Sequence, residues 1–235
     1  MQDTIITDEI PVADGGRCSA RVACPPRATT SPAVVLIPAI FGATPGIDAF
    51  AQRLSAQGFV VTVPDLFWRT LPGPLGYEGA DRDKAQDRYK KFDVQKGVDD
   101  LREIIAWCGR DGFSTGKVGV VGLCFGGRFA VLAAAHLGAA AAVSYHGTFI
   151  GAHLDVLPGI ECPLSLHFGE ADTQAPMSEV AGITKASARN PNIEIFTYPD
   201  APHGFMQQDR ASYRPSAAGP AWDRGVGALR KGLMT

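Results

Sequence analysis

A cysteine becomes a nucleophile where its thiol is accessible and its ionised form is favoured, and one cysteine of this chain stands in such a setting. Residues 117–130 read K-V-G-V-V-G-L-C-F-G-G-R-F-A. The run 118–121 is mostly β-branched and suits a strand buried on both faces, whereas 128–137 is rich in Ala and Leu and suits a helix. Between them lies Gly122-Leu123-Cys124-Phe125-Gly126, a G-x-C-x-G elbow with cysteine in the position of the usual serine. A strand that turns at once into a helix strains its turning residue, and Gly122 and Gly126 leave the room that the close crossing needs. Cys124 would then stand at the C-terminal edge of the sheet, where open α/β sheets bind ligands, with a helix N-terminus favouring its thiolate. The N–H of Phe125 points the same way and can serve as an oxyanion donor. The plainer alternative is a small buried thiol in an ordinary strand-to-helix loop.

A thiol nucleophile needs a base, and the base an orienting acid. His203 lies in D-A-P-H-G-F at 200–205, just after the last expected strand, and Asp172 lies in H-F-G-E-A-D at 167–172, just after the strand before it. Both fall on the sheet edge expected to carry Cys124, and the order nucleophile, acid, histidine is that of α/β-hydrolases. Glu170 is a rival acid; Asp172 is preferred because it lies farther beyond the strand end. Read singly, His203 is equally a solvated loop histidine and Asp172 a helix cap or Asx turn. His136 falls in a helix, His153 in a loop and His167 inside a strand, while His146, at a strand end, reads as a packing residue with pocket lining as the alternative.

The elements that must position these residues follow from periodicity. Residues 3–9 and 17–24, separated by Ala13-Asp14-Gly15-Gly16, predict an N-terminal antiparallel hairpin, and 25–32 a Pro/Ser/Thr loop. Strands are expected at 33–38, 60–64, 141–145, 164–168 and 193–198, and helices at 46–57, 93–108, 176–188 and 215–233. In the helix at 93–108, Val94, Val98, Leu101, Ile104 and Ile105 share a face. Residues 65–91 are the least regular stretch and are expected to form a lid or pocket wall. Strands alternating with helices predict an α/β fold with a mostly parallel, doubly wound sheet flanked by helices.

At 235 residues and 46% hydrophobic composition, the chain suits a single domain spanning 1–235. A net charge of −2 with interspersed signs argues against a nucleic-acid partner. The acidic N-terminus shows no secretory leader, and the longest apolar run, 129–143, contains His136 and is too short to span a membrane. Five cysteines, Cys18, Cys24, Cys108, Cys124 and Cys162, show no metal-site spacing, and Cys18 and Cys24 would lie roughly 20 Å apart on one strand face, too far to bridge. A reducing cytoplasm is the expected compartment, with a small-molecule substrate, no metal, and a monomer or small homo-oligomer.

With these motifs in place the chain resembles the dienelactone hydrolase family, carboxymethylenebutenolidase-like enzymes of the α/β-hydrolase fold with a Cys-Asp-His triad. The resemblance rests on I-F-G at 40–42, P-D-L at 64–66, G-K-V-G-V-V-G-L-C-F-G-G at 116–127, G-E-A-D at 169–172, H-G-F at 203–205 and Y-R-P-S-A-A-G-P-A-W at 213–222. It implies Cys124 as nucleophile, His203 as base, Asp172 as orienting acid, and the N–H groups of Ile40 and Phe125 as the oxyanion hole, with no cofactor. Two positions depart from the best-known members. A glutamate expected before I-F-G is Ala39, and of the two arginines that bind the substrate carboxylate, Arg82 resembles the first while the second position is Gln207. Arg210 is a substitute at the wrong spacing.

Without that glutamate, His203 is the expected base and a thiolate–imidazolium pair the expected resting state. Ala39 leaves apolar room that Phe41, Phe67, Trp68 and Phe125 are candidates to line. The expectation is a cysteine-dependent carboxylic-ester or lactone hydrolase working through a thioester on small uncharged or aryl esters, with aryl phosphotriesters as a further electrophile. The alternatives are a carboxymethylenebutenolidase acting on dienelactone itself, a glutamine-amidotransferase-like or redox-sensing cysteine protein, and a non-catalytic hydrolase-fold binding protein.

Overall fold

Polar and apolar residues alternate along β2 (Arg17–Ala23), which pairs antiparallel with β1 (Ile5–Pro11) in the computed structural model, a structure that describes residues 5–25 and 31–234. The register runs from Ile5 opposite Ala23 to Pro11 opposite Arg17, and a short 3-10 turn at Ala13–Gly15 closes the hairpin. Residues 3 and 4 of the expected first strand, and most of the expected Pro/Ser/Thr loop, lie outside the described residues. The chain groups into two units, residues 1–118 and 119–235.

In the first unit the strand order is β1-β2-β4-β3. β3 (Ala33–Ile37) and β4 (Val60–Pro64) run parallel and are buried at every position, as β-branched runs covered on both faces should be. β2 joins β4 antiparallel, Ala20 opposite Pro64. α1 (Pro45–Ser55) starts on a proline and is followed by Gly58 at φ 97°, where a side chain would be strained. α3 (Val94–Cys108) is capped by the Asp93 side chain, which accepts from Lys96 N at 3.1 Å. It buries Leu101, Ile104 and Ile105 as expected, but also Gly97, Asp100 and Cys108, whereas Val94 and Val98 are only half-buried.

The stretch 65–91 is not irregular throughout: Gly79–Lys90 forms a helix, α2. The expectation failed because α2 has no apolar stripe; its buried residues are Ala85 and Arg88.

In the second unit four parallel strands run in the order β5-β6-β7-β8: β5 (Val118–Leu123), β6 (Ala141–Tyr145), β7 (Leu164–Gly169) and β8 (Ile193–Tyr198). α4 (Phe125–His136) follows β5 immediately, and α5 (Met177–Ser187) and α6 (Pro215–Leu233) follow β7 and β8. α6 lies close on β6: a Cβ added at Gly225 would meet the Tyr145 hydroxyl at 1.9 Å. A 3-10 segment at Ile150–Gly159, which the sequence pattern did not suggest, packs between α4 and α5. The result is the mostly parallel α/β architecture with an N-terminal antiparallel pair that the pattern of elements predicts.

Candidate active site

Cys124 is the turning residue between β5 and α4, with φ 53° and ψ −114°, a conformation costly for any residue with a Cβ. The local sequence makes it possible. A Cβ at Gly122 would sit 2.0 Å from Gly126 O, and one at Gly127 would sit 2.4 Å from both Gly147 Cα and Ser144 Oγ. The Cys124 backbone is pinned on both sides, its N–H donating to Tyr145 O at 3.1 Å and its carbonyl accepting from Gly127 N at 2.9 Å and Thr148 N at 3.1 Å. Phe125 stands at the first position of α4, whose first-turn amides point out of the helix end.

Register brings the partners to the same edge. Leu123 pairs with Tyr145, Tyr145 with His167, and Gly169 with Tyr198, so residues 124, 146, 172 and 203 all follow strand C-termini. The loops after β7 and β8 are tied directly, Glu170 N donating to Tyr198 O at 2.9 Å and Ala171 N to Ala201 O at 3.1 Å. Gly169 permits this approach, since a Cβ there would lie 2.1 Å from Ala201 O. Asp172, with a fully buried side chain, then receives His203 Nδ1 on Oδ2 at 2.8 Å. Its Oδ1 accepts from Gln174 N at 2.7 Å and Ala175 N at 3.2 Å. The rival Glu170 is exposed and accepts from Thr197 Oγ1 at 2.8 Å.

Burial by itself would depress the His203 imidazole. The hydrogen bond to Asp172, the neighbouring Cys124 thiol and the charges of both override that and raise its pKa from 6.5 to about 9. His203 Nε2 is buried and has no hydrogen-bond partner among the described residues, and catalytic hydrogen bonds often form only once substrate tightens a site.

His146 packs, as its sequence position suggested, but its contact with the His203 ring was not foreseen. It is fully buried at φ 41°, lies edge-to-face on His203 with centroids 5.0 Å apart, and among the described residues neither ring nitrogen has a hydrogen-bond partner. Burial, then the charges of His203 and Arg210, hold its pKa well below the usual range. Arg128 was also missed: 6% exposed, it sets its guanidinium over the rings of Phe125, Phe129 and Phe149 at 5.2, 5.3 and 5.5 Å. The only signal for either was its place beside a strand end or the elbow.

The remaining candidates have these surroundings. Gln207 is buried, its Oε1 accepting from Arg210 at 3.3 Å. In the first unit, Phe41 lies edge-on to Tyr77 at 4.9 Å, Phe67 edge-on to Phe92 at 5.2 Å, and Arg82 is exposed on α2. Trp68 donates to Asp100 Oδ2 at 2.9 Å and packs on Gly16. Ile40 follows the buried Ala39 in the turn after β3. Among the described residues no group of three or more His, Cys, Asp or Glu side chains is arranged to hold a metal, and no helix is long and apolar enough to cross a membrane.

A family model described as the dienelactone hydrolase family matches residues 18–232. The chain belongs to the dienelactone hydrolase family. Within that family it is similar to a carboxymethylenebutenolidase of Pseudomonas putida, 32% identical over 213 residues and covering 90% of each chain. The crystal structure of a putative dienelactone hydrolase from Klebsiella pneumoniae superposes with a TM-score of 0.83 at 26% identity, covering 97% of this chain and 100% of that one. A dienelactone hydrolase-like promiscuous phosphotriesterase, P91, from metagenomic libraries shares the fold, with a TM-score of 0.78 at 18% identity and coverage of 97% and 99%. As a dienelactone hydrolase family member with an α/β-hydrolase fold, the chain is a hydrolase of ester or lactone bonds.

Proposed function

We propose that the chain is a cysteine-dependent esterase or lactonase working through a thioester on Cys124, with small uncharged or aryl esters as its substrates. The observation that carries this reading is the strained elbow cysteine at the same strand C-terminal edge as a histidine that is itself bonded to buried Asp172. The raised His203 pKa supports an imidazolium at neutral pH. Cys124 Sγ adds to the ester carbonyl, and the oxyanion is held by the N–H groups of Ile40 and Phe125. The intermediate expels the alcohol or phenol, which takes the imidazolium proton. Neutral His203 then removes a proton from water, hydroxide displaces the thiolate from the thioester, and the acid leaves with the ion pair restored.

Ala39, 2% exposed, occupies the position before I-F-G where a carboxylate was expected, and this supports an apolar acyl site. Phe41 is the lining residue we favour. Arg82 and Gln207 remain candidates for a substrate carboxylate, while the packing of Phe67 and Trp68 accounts for their placement without substrate. The phosphotriesterase character of P91 motivates aryl phosphotriesters as a further substrate class.

Single-turnover hydrolysis of p-nitrophenyl acetate and butyrate across about pH 5–9, with intact mass of the quenched enzyme, tests the reading. A burst with an acyl adduct on Cys124, absent in Cys124→Ala, is the expected result; no burst and no adduct would sink it. The second reading, a carboxymethylenebutenolidase, is favoured by the identity to the Pseudomonas putida enzyme. It requires the wild type to turn over dienelactone at least as well as aryl esters, whereas our reading expects that activity to appear only in Ala39→Glu.

A further inference from the structure

α2 exposes most of its charges to water, yet Arg88 on the same helix is 1% exposed. Its Nε and one terminal nitrogen donate to Ile40 O at 2.8 and 2.5 Å. The other terminal nitrogen donates to Leu71 O and Gly73 O, both at 2.8 Å, and the guanidinium lies 4.3 Å from the Phe67 ring centroid. All three of these acceptors are main-chain carbonyls. Burial lowers the Arg88 pKa, and the nearby charge of Asp65 opposes that. Asp65 instead holds the same loop by its amides, Gly73 N at 2.6 Å and Phe67 N at 3.0 Å.

Burying a guanidinium on neutral carbonyls is an expensive way to fill a core position, where a Met or Leu would pack without desolvating a charge. What it achieves is directional. Five fixed donors in one plane can hold three loop carbonyls at one point, which no neutral side chain can do. The turn after β3 shows the consequence. Ala39 O accepts from Gly42 N at 3.0 Å, Ile40 O from Arg88, and Phe41 O from Leu75 N at 2.9 Å. Each carbonyl of the turn is therefore engaged, while among the described residues Ile40 N–H makes no hydrogen bond. Gly42, at φ 74°, completes the fit; a Cβ there would lie 3.2 Å from Arg88 and 3.0 Å from Gly73 O.

We propose that Arg88 is a positioning residue for ester hydrolysis, clamping the Ile40 turn so that the Ile40 N–H is presented to the developing oxyanion. The inference rests on the reading of Ile40 as an oxyanion donor. Oxyanion donors act only within a few tenths of an ångström of their proper distance, and a misplacement of about 1 Å costs on the order of 10²-fold in rate. Arg88 touches no substrate in this account; its effect passes through the turn.

The test separates two reactions of the same thiol. Alkylation of Cys124 by iodoacetamide forms no oxyanion and reports thiolate reactivity alone, whereas acylation by p-nitrophenyl acetate requires the oxyanion hole. In Arg88→Met we expect acylation to slow about 10²-fold with KM little changed, and the alkylation rate and its pH profile to match wild type. Arg88→Lys, which keeps the charge but not the fork, should fall between the two. Wild-type acylation rates in both variants would overturn the proposal. So would parallel losses in acylation and alkylation, or failure of both variants to fold, either of which would mark Arg88 as a structural clamp only. A wild type that alkylates but never acylates would sink the esterase reading itself, and this inference with it.

Discussion

The two carboxylate oxygens of Asp172 do different work. Oδ1 accepts two backbone amides at the turn after β7, the cap-like arrangement its sequence position suggests, and Oδ2 accepts His203 Nδ1. The amides hold the carboxylate still, and the carboxylate then fixes the tautomer and direction of the ring. We expect Asp172→Asn to keep the turn but lower kcat by about 10³- to 10⁴-fold, measured on p-nitrophenyl acetate, because the amide favours the wrong tautomer. His203 Cε1 followed by NMR should titrate near 9 in the wild type and at lower pH in Cys124→Ala, since the thiol is one of the groups that raise it. An unchanged midpoint would mean that the thiol and ring do not share a proton.

At the scale of the element, the elbow is tightly constrained. A methyl group at Gly122 would overlap Gly126 O, and the strand and helix cannot separate without moving Cys124. Gly122→Ala should therefore cost on the order of 3 kcal/mol in urea unfolding and most of the esterase burst. Asp93→Ala should cost about 1 kcal/mol through loss of the α3 cap while leaving the pH profile of the burst untouched. Both elements were legible in sequence, the elbow from its glycines and α3 from its spacing. α2 was not, because a helix whose buried side is Ala85 and Arg88 carries no periodic apolar signal. The 3-10 segment at Ile150–Gly159 was hidden for a related reason, since it lacks a regular 3.6-residue stripe.

Over the whole molecule the buried histidines titrate in opposite directions. His203 is raised above its ordinary value, so its contribution to stability is fully present below about 6.5 and is lost as pH rises through about 9. His167 is lowered to about 3, chiefly by burial and then by the Arg224 charge, and is held neutral between Ser165 Oγ and Tyr198 Oη at 2.9 Å each. Stability conferred by the His167 ring is therefore present above about 6.5 and lost as pH falls toward 3, and His146, also lowered, acts in the same direction. Urea midpoints across pH should fall on both flanks. His167→Gln should flatten the acid flank without moving the alkaline one; an acid flank unchanged in that variant would assign it to other groups.

Residue order and spacing by themselves determined a large part of this protein. The alternation of strands and helices, the glycines around Cys124, and the chain order of Cys124, Asp172 and His203 follow from local sterics, periodicity and the strand ends they imply. Tertiary structure decided what depends on contacts between distant segments. Which acid faces His203 was settled by the Gly169–Ala201 approach, which draws Asp172 inward and leaves Glu170 exposed. Arg88 and His146 took their places for the same reason: a charged residue in a polar stretch looks solvated, and a histidine read as packing at a strand end carries no sign in sequence of which ring it meets. Only packing shows that one is buried on three carbonyls and the other against the ring of His203.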